Sequence, residues 1–445
     1  MKKIAIACQG GGSHCAFTGG VLAALLRRVH ADAQGRLVLD GHEIVGLSGT
    51  SGGAVGAYLA WLDLLRLRQG LPLPESEPLA VERFWKQTAT QPFGRFPYDM
   101  LTNLAMVGIA SMDGKLPTLT ATPNAATRAV QAHLRTQIEQ AAGDLSFLQP
   151  LLQAEGGLHR ARVRSLQPAP GNFPVLVVGA TNVNHGLFEP FIATPSHPPL
   201  LDQIVAATAL PDLFPSVGIS SPMKTPRHGE DGTGAGAEAD AMHRPATPAH
   251  GPEPATAHYW DGLLSQNPPI SDFLGFDDCK VKPDEIWIVR INSVARRNGA
   301  GRIAIEPPTR GTEIADRRNE LAGNLSLEQE KRFIRRVNAM HGTGTLSAEG
   351  RERYKKVALW GIALDGWADL PEHPGAPDGD WREVKFKTPR MHTAVLDYAT
   401  KLLRSPAFLA ELDALGREAA LEFLAFRRGE APPPAAGVGG RLGAA

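Results

Sequence analysis

Two glycine-rich segments, each wedged between a short apolar run and a helical pattern, limit what this chain can fold into more than any other feature. The first runs KIAIAC, then QGGGSHC, then TGGVLAALLRRVH; the second runs HEIVGLS, then GTSGG, then GAVGAYLAWLDLLRLRQ. Short apolar runs bounded by glycine read as buried strands, and the longer apolar stretches behind them are helix-like. A strand, helix, strand, helix start favours an α/β class with a mostly parallel sheet and helices on its faces. FPVLVVGAT, EIWIVRIN and KVALWGIAL are further strand candidates, and LLDQIVAATAL is a short helix closed by Pro211.

The chain has 445 residues, 43% of them hydrophobic, enough for one large α/β domain or two ordinary ones. Lys and Arg number 46 and so do Asp and Glu, a balance that argues against nucleic acid as the main partner. Cys8, Cys15 and Cys279 are odd in number and widely spaced, which suggests neither a disulfide framework nor a metal cage and fits a reducing compartment. Behind Lys2 and Lys3 the apolar run of residues 4–8 is too short for a signal-peptide core or for lipidation at Cys8. The best long apolar stretch, AVGAYLAWLDLLRL, is interrupted by Asp63. The expectation is a cytoplasmic protein, at most peripheral to a membrane.

Residues 222–257 are dense in Pro, Gly, Ala and Thr and read as a flexible insertion directly before HYWDG. The tail over 428–445 reads as disordered, and 391–427 as a pair of helices broken near Ser405-Pro406.

Gly49-Thr50-Ser51-Gly52-Gly53 has the G-x-S-x-G form of a nucleophile elbow, in the strand-to-helix context that such an elbow needs. Ser51 then sits at a helix N-terminus, where free amides and the helix dipole favour a nearby oxyanion; the bland alternative is a structural glycine turn. Gly10-Gly11-Gly12 also joins a strand to a helix, and its amides suit either a phosphate or the oxyanion of a tetrahedral intermediate. A dinucleotide site asks for G-x-G-x-x-G, whereas Cys15 fills the last place here and the acidic Glu43 precedes its strand instead of ending it. No Gly-Lys-Ser or Gly-Lys-Thr follows, so a phosphate loop fits less well still.

Taken together, these segments resemble the patatin-like phospholipases. That family carries a glycine-rich oxyanion loop G-G-G-x-(R/K)-G, a G-x-S-x-G elbow about forty residues on, and a distant D-G-(G/A). The matching positions are Gly10-Gly11-Gly12-Ser13-His14-Cys15, Gly49-Thr50-Ser51-Gly52-Gly53 and Asp261-Gly262-Leu263, and AATALPDLFPSVGI looks like the family's small-residue helix and Pro/Phe turn ahead of the aspartate. The resemblance covers roughly residues 1–300. It implies a three-layer α/β/α acyl hydrolase domain over 1–300, with 301–427 as a mainly helical extension packed on it. It further implies a Ser-Asp dyad, with Ser51 as nucleophile and Asp261 as general base. Gly10, Gly11, Gly12 and Gly52 would form the oxyanion hole, with Gly49, Gly53 and Gly262 as motif glycines. The implied substrate is an acyl lipid, a phospholipid or a neutral lipid, and no cofactor or metal is required. Three positions depart from the pattern: His14 stands in the Arg/Lys place, Cys15 replaces the last loop glycine, and Leu263 follows Asp-Gly.

An aspartate base needs partial desolvation, for which Tyr259 and Trp260 are candidates. His341, His373 and His392 follow Asp261 and are candidates for a conventional triad, although an α/β-hydrolase does not put its oxyanion loop and nucleophile in its first two strands. His14 is a candidate for steadying the loop or contacting a substrate headgroup. In EKRFIRRVNAM, Lys331, Arg332, Arg335 and Arg336 form a basic helix face, either solvated or against anionic lipid. MLTNLAMVGIASM, residues 100–112, reads as core or as an acyl-chain groove. Two rivals stand beside the hydrolase: a lipid-binding protein that has lost turnover through the three departures, and a nucleotide-binding protein using the glycine loop.

Overall fold

β1 (Lys2–Cys8) divides its side chains between two cores, with Ile4, Ile6 and Cys8 on one face and Ala5 and Ala7 on the other. A strand buried on both sides has to lie between two layers, and parallel pairing with crossover helices provides them. The computed structural model describes residues 1–73, 76–89, 125–148, 173–193, 201–211, 214–220, 256–274, 282–292, 307–309, 311–364, 381–383, 396 and 400–430.

The other strands are β2 (His30–Ala31), β3 (Leu37–Leu39), β4 (His42–Gly49), β5 (Val175–Asn182), β6 (Leu187–Ala193), β7 (Val217–Ser220), β8 (Thr256–Asp261), β9 (Glu285–Arg290), β10 (Ala358–Ala363) and β11 (Trp381–Glu383). They form one sheet in the order β11-β10-β9-β1-β4-β5-β8-β7, with β3 and β6 pairing at the sides of β4 and β5 and β2 pairing with β3. From β11 to β5 every neighbour is parallel; β8 and β7 continue the sheet antiparallel.

One face carries α1 (Ala16–Leu26), α2 (Gly52–Arg68), α3 (Ala80–Thr88), α4 (Ala125–Ala142), α5 (Leu201–Ala206) and α8 (Pro406–Arg428), which pack around Phe17, Leu59, Phe84, Ile138, Ile204 and Phe423. The opposite face is covered by α6 (Gly311–Gly342), through Leu327 and Ile334, and by the turn holding Phe273. α7 (Ala348–Arg353) links α6 to β10. The result is a three-layer α/β/α architecture. Asp63, the charge that interrupts the apolar run of α2, accepts the Ala80 N–H at 3.0 Å and so satisfies a free amide at the start of α3. Among the described residues no helix is long and apolar enough to cross a membrane.

Several boundaries differ from expectation. The helix in LLDQIVAATAL stops at Ala206, well before Pro211, where the Ala207 and Ala209 carbonyls turn away to accept from the Ser51 and Asp261 amides. Thr256 and Ala257, expected in the insertion, open β8. Residues past 300 supply β10 and β11 to the sheet, and α8 packs along α1 in the main core. Of the expected terminal helix pair, the second is α8, capped by Ser405 with Pro406 in its first turn. The first falls largely on 391–395 and 397–399, outside the described residues, as do 100–112, 222–255, 431–445, Cys279, His373 and His392.

The C-terminal helix is tied to the sheet by one buried ion pair. Arg427 Nη2 donates to both oxygens of Glu285 at 2.9 and 2.7 Å, and its guanidinium lies 4.1 Å from the Trp360 ring centre. Arg427→Met leaves Glu285 only the Lys2 ammonium at 2.9 Å and the Trp287 indole N–H at 3.1 Å, and is expected to lower unfolding free energy by about 1.5–3 kcal/mol. Arg428→Met, which loses a pair with Asp40 nearer the surface, is expected to cost about 1 kcal/mol or less. Urea denaturation of both variants measures the contrast, and equal losses would refute the clasp.

Candidate active site

β4 ends at Gly49 and α2 begins at Gly52, so the chain turns from strand to helix within two residues. Ser51 takes that turn at φ 55° and ψ −134°, a conformation that costs a non-glycine residue about 1–3 kcal/mol. Its surroundings hold it there. Ser51 N–H donates to Ala207 O at 2.9 Å, Thr50 N–H to Cys8 O at 3.3 Å, and the Thr50 hydroxyl to Gln266 O at 2.7 Å.

The glycine loop after β1 lies directly against this turn. A side chain on Gly10 would put its Cβ 2.5 Å from Ser51 Cβ, so only glycine permits the approach. Gly12, at φ 61°, has no room for a Cβ against the Lys401 carbonyl, which also accepts the Ser13 N–H at 2.7 Å. Across both loops, Gln9 to Cys15 and Gly49 to Gly53, the positions open to solvent are Gly11, Gly12, Ser51 and Gly52. Solvent therefore reaches the candidate nucleophile and three candidate oxyanion amides, and nothing else there.

Gly10 departs from its expected part. Its N–H donates to Asn267 Oδ1 at 2.6 Å and is spent, while its carbonyl accepts from Asn292 Nδ2 at 3.0 Å and Asn267 Nδ2 at 3.3 Å. Because the peptide is planar and trans, pinning the Gly10 carbonyl fixes the Gly11 N–H in the opposite direction. That amide lies beside the Cys15 sulfur, a weak acceptor, and among the described residues no acceptor is bonded to the Gly12 or Gly52 amides. Gln9 extends the network. Its Oε1 accepts from the Ile291 and Asn292 amides at 3.1 and 3.0 Å, and its Nε2 donates to Asn324 Oδ1 at 3.1 Å. Sequence reasoning missed Gln9, Asn267 and Asn292; the available signal was the polar run Ser265-Gln266-Asn267 so soon after Asp261-Gly262.

Asp261 ends β8 opposite Ala180 of β5, two residues beyond Val178, which is level with Gly49. Its N–H donates to Ala209 O at 2.9 Å, so the same short segment after α5 holds both Ser51 and Asp261. The carboxylate is buried. Oδ1 accepts the Leu263 N–H at 2.9 Å, whereas Oδ2 has no bonded donor. Burial pushes the group up to about 7, opposed by the Leu263 amide and by the nearby Ser51 hydroxyl, both of which favour the charged form. Tyr259 is fully buried beside it on the strand; Trp260 is half-buried and alternates to the other side.

The three departures each have a place. The Cys15 thiol contacts the Gln9 carbonyl at 3.5 Å and fills the space against Gly52; burial pushes its pKa up, so it stays neutral. His14 is buried, with Nε2 2.9 Å from Thr400 Oγ1 and its ring edge-on to Phe408, and burial holds it well below the usual histidine range. Both contacts tie the loop after β1 to Thr400 and to α8. Leu263 packs where α6 passes at Gly323. Among the described residues no histidine is bonded to Ser51 or Asp261, and His341 lies eighteen residues past Gly323, about 27 Å along α6. Among the same residues no three His, Cys, Asp or Glu side chains are grouped to hold a metal ion.

No protein-family model and no curated protein sequence matches the chain. Among solved structures, VipD from Legionella pneumophila is similar over 95% of this chain and 67% of that one, at 11% identity and a TM-score of 0.29. A likeness that small decides neither fold nor function.

The folded Asp261 carboxyl keeps its proton to about pH 7, the unfolded one only to its ordinary 3.8. The group therefore lowers stability as pH rises through that window, and in full above it. Asp261→Asn keeps an acceptor for Leu263 and removes the charge. Denaturation between about pH 4 and pH 8 is expected to show the variant gaining steadily on the wild type; a constant gap would contradict a desolvated carboxylate.

Proposed function

We propose that the protein is a serine hydrolase of acyl lipid esters working through a Ser51–Asp261 dyad. The observation that carries this reading is the unbonded, buried Oδ2 of Asp261 beside a serine held in a strained turn. A carboxyl near 7 is half ionised at neutral pH and accepts a proton far better than an ordinary aspartate.

In this scheme Ser51 Oγ attacks the ester carbonyl carbon while its proton passes to Asp261 Oδ2. The carbonyl oxygen becomes an oxyanion, received by the amides of Gly12 and Gly52, and by Gly11 if its N–H leaves the weak Cys15 acceptor, and favoured by the N-terminus of the 17-residue helix α2. The intermediate collapses, the carbon to alkoxy-oxygen bond breaks, and Asp261 returns the proton to the departing alcohol. Water then attacks the acyl-Ser51 ester, giving its proton to Asp261, and the free acid leaves as Ser51 recovers a proton. No step calls for a metal or cofactor. Choice of an acyl lipid over other esters rests on the sequence resemblance to patatin-like phospholipases.

The nucleotide alternative is disfavoured by the same geometry. One loop amide is already bonded to Asn267, and a phosphate on this loop would stand near the buried Asp261 carboxylate, whose negative charge repels it. The inactive alternative loses its basis, since His14, Cys15 and Leu263 are each accommodated without displacing Ser51 or Asp261.

Hydrolysis of a panel of phospholipid, neutral-lipid and short-chain esters tests the reading. Ser51→Ala is expected to lose at least about 10³-fold in kcat on any ester that the wild type cleaves. Undiminished turnover in Ser51→Ala, or none in wild type on the whole panel, counts against it. Asn267→Ala releases the Gly10 peptide and is expected to lower kcat about 10- to 100-fold, with KM changed less than about 3-fold. An equal rise in KM would make Asn267 a binding residue instead.

A further inference from the structure

The outward face of α6 carries Ile314, Leu321 and Leu325 among the exposed large hydrophobic side chains of the described residues. Its described exposed positions, Ile314 to Gly342, recur every three or four residues and so form one stripe about 42 Å long. The N-terminal half of the stripe presents Ile314, Leu321 and Leu325, which are 50%, 38% and 58% exposed. Arg318 interrupts it, and Arg332 and Arg336 continue it. The one acidic side chain among the described residues of this helix that is more than a third exposed is Glu328, at 38%, and it pairs with Lys331.

The charges flanking the stripe are treated differently. Arg317 pairs with Glu320, and Lys331 is buried against Glu328. No carboxylate pairs with Arg332 or Arg336 among the described residues, whereas Arg27, Arg36, Arg417, Arg427 and Arg428 elsewhere all have one. The basic cluster noticed in EKRFIRRVNAM is thus split by the helix: Lys331 turns inward, and Arg332 and Arg336 stay on the outer face.

The inner side of α6 meets Leu263, in the turn that follows Asp261, at Gly323; Leu321 and Leu325 lie on the opposite, outer side of the same helical turns, and Leu264 in the turn is itself 55% exposed.

We propose that this stripe docks the protein on an anionic lipid bilayer, with the aliphatic end in the headgroup boundary and Arg332 and Arg336 on anionic headgroups. A helix face joining aliphatic side chains to Arg332 and Arg336, neither paired to a carboxylate among the described residues, is what an anionic interface attracts. The chain as a whole has equal numbers of cations and anions, so attraction to such a surface has to come from a local patch. The docking gives the lipid-hydrolase reading its substrate source and rests on that reading for its purpose, but not for its measurement.

The test is co-sedimentation of the full-length Ser51→Ala protein with phosphatidylcholine vesicles with or without phosphatidylserine. Binding is expected only with phosphatidylserine, to weaken with salt, and to fall about 30-fold in Arg332→Gln/Arg336→Gln, since each basic residue contributes about fivefold. Leu321→Ser/Leu325→Ser is expected to weaken it similarly. All these positions are exposed, so both double variants in the wild-type background should hydrolyse a soluble short-chain ester at the wild-type rate. No binding, equal binding to both vesicle types, or binding indifferent to both double variants overturns the docking. Retention by nucleic acid or another protein without vesicle binding overturns it as well. If vesicle binding follows the stripe but Ser51 supports no hydrolysis, the docking stands and the hydrolase reading fails; the reverse result separates them the other way.

Discussion

Two backbone hydrogen bonds set the geometry on which the candidate site depends. Ala207 O accepts the Ser51 N–H and Ala209 O accepts the Asp261 N–H, each at 2.9 Å. Carbonyls two residues apart on one buried segment fix how far nucleophile and base can separate, and β5 sets their level, Gly49 opposite Val178 and Asp261 opposite Ala180. Small side chains are needed there: Ala206, Ala207 and Ala209 are fully buried and let the segment lie close to both strand ends. The glycine loop is the third support, its Gly10 peptide gripped by Asn267 and Asn292 so that the Gly11 N–H is fixed in the direction opposite to the Gly10 carbonyl.

The arrangement costs stability in several ways at once. Ser51 occupies a backbone region that disfavours side chains, Asp261 is desolvated, and a network of buried amides has to be satisfied in full. These costs are carried by a sheet with a core on each face and by the α8 clasp through Arg427 and Glu285. Burial serves fold and chemistry together: the same exclusion of water that packs Tyr259 and Phe191 raises Asp261 to about 7 and keeps Cys15 a neutral thiol.

Much of the fold was legible because β1, β4, β5, β9 and β10 are short, nearly continuous apolar runs, the pattern that strands buried on both faces must have. β8 was not, because TAHYWD abuts the Pro/Gly-rich stretch and only half its residues are apolar. The glycines and Ser51 could be read from the strand-to-helix context, yet Gly10 reverses its expected part: its amide serves the loop and not the oxyanion. Asn267 and Asn292 were invisible because a buried amide in irregular chain has no periodicity, and its partners come from sequence positions more than 250 residues away. The basic cluster at 331–336 showed its charge in sequence, but only the helix phase separates Lys331 from Arg332 and Arg336.

The pH dependence of Ser51 labelling by a fluorophosphonate tests the dyad most directly, since the reagent reports the nucleophile alone and needs no knowledge of the lipid. The account predicts a labelling rate that rises through a midpoint near 7 as Asp261 ionises, and a slow, flat profile in Asp261→Asn. A wild-type rate independent of pH between about 5 and 9, or one unchanged in Asp261→Asn, would contradict it.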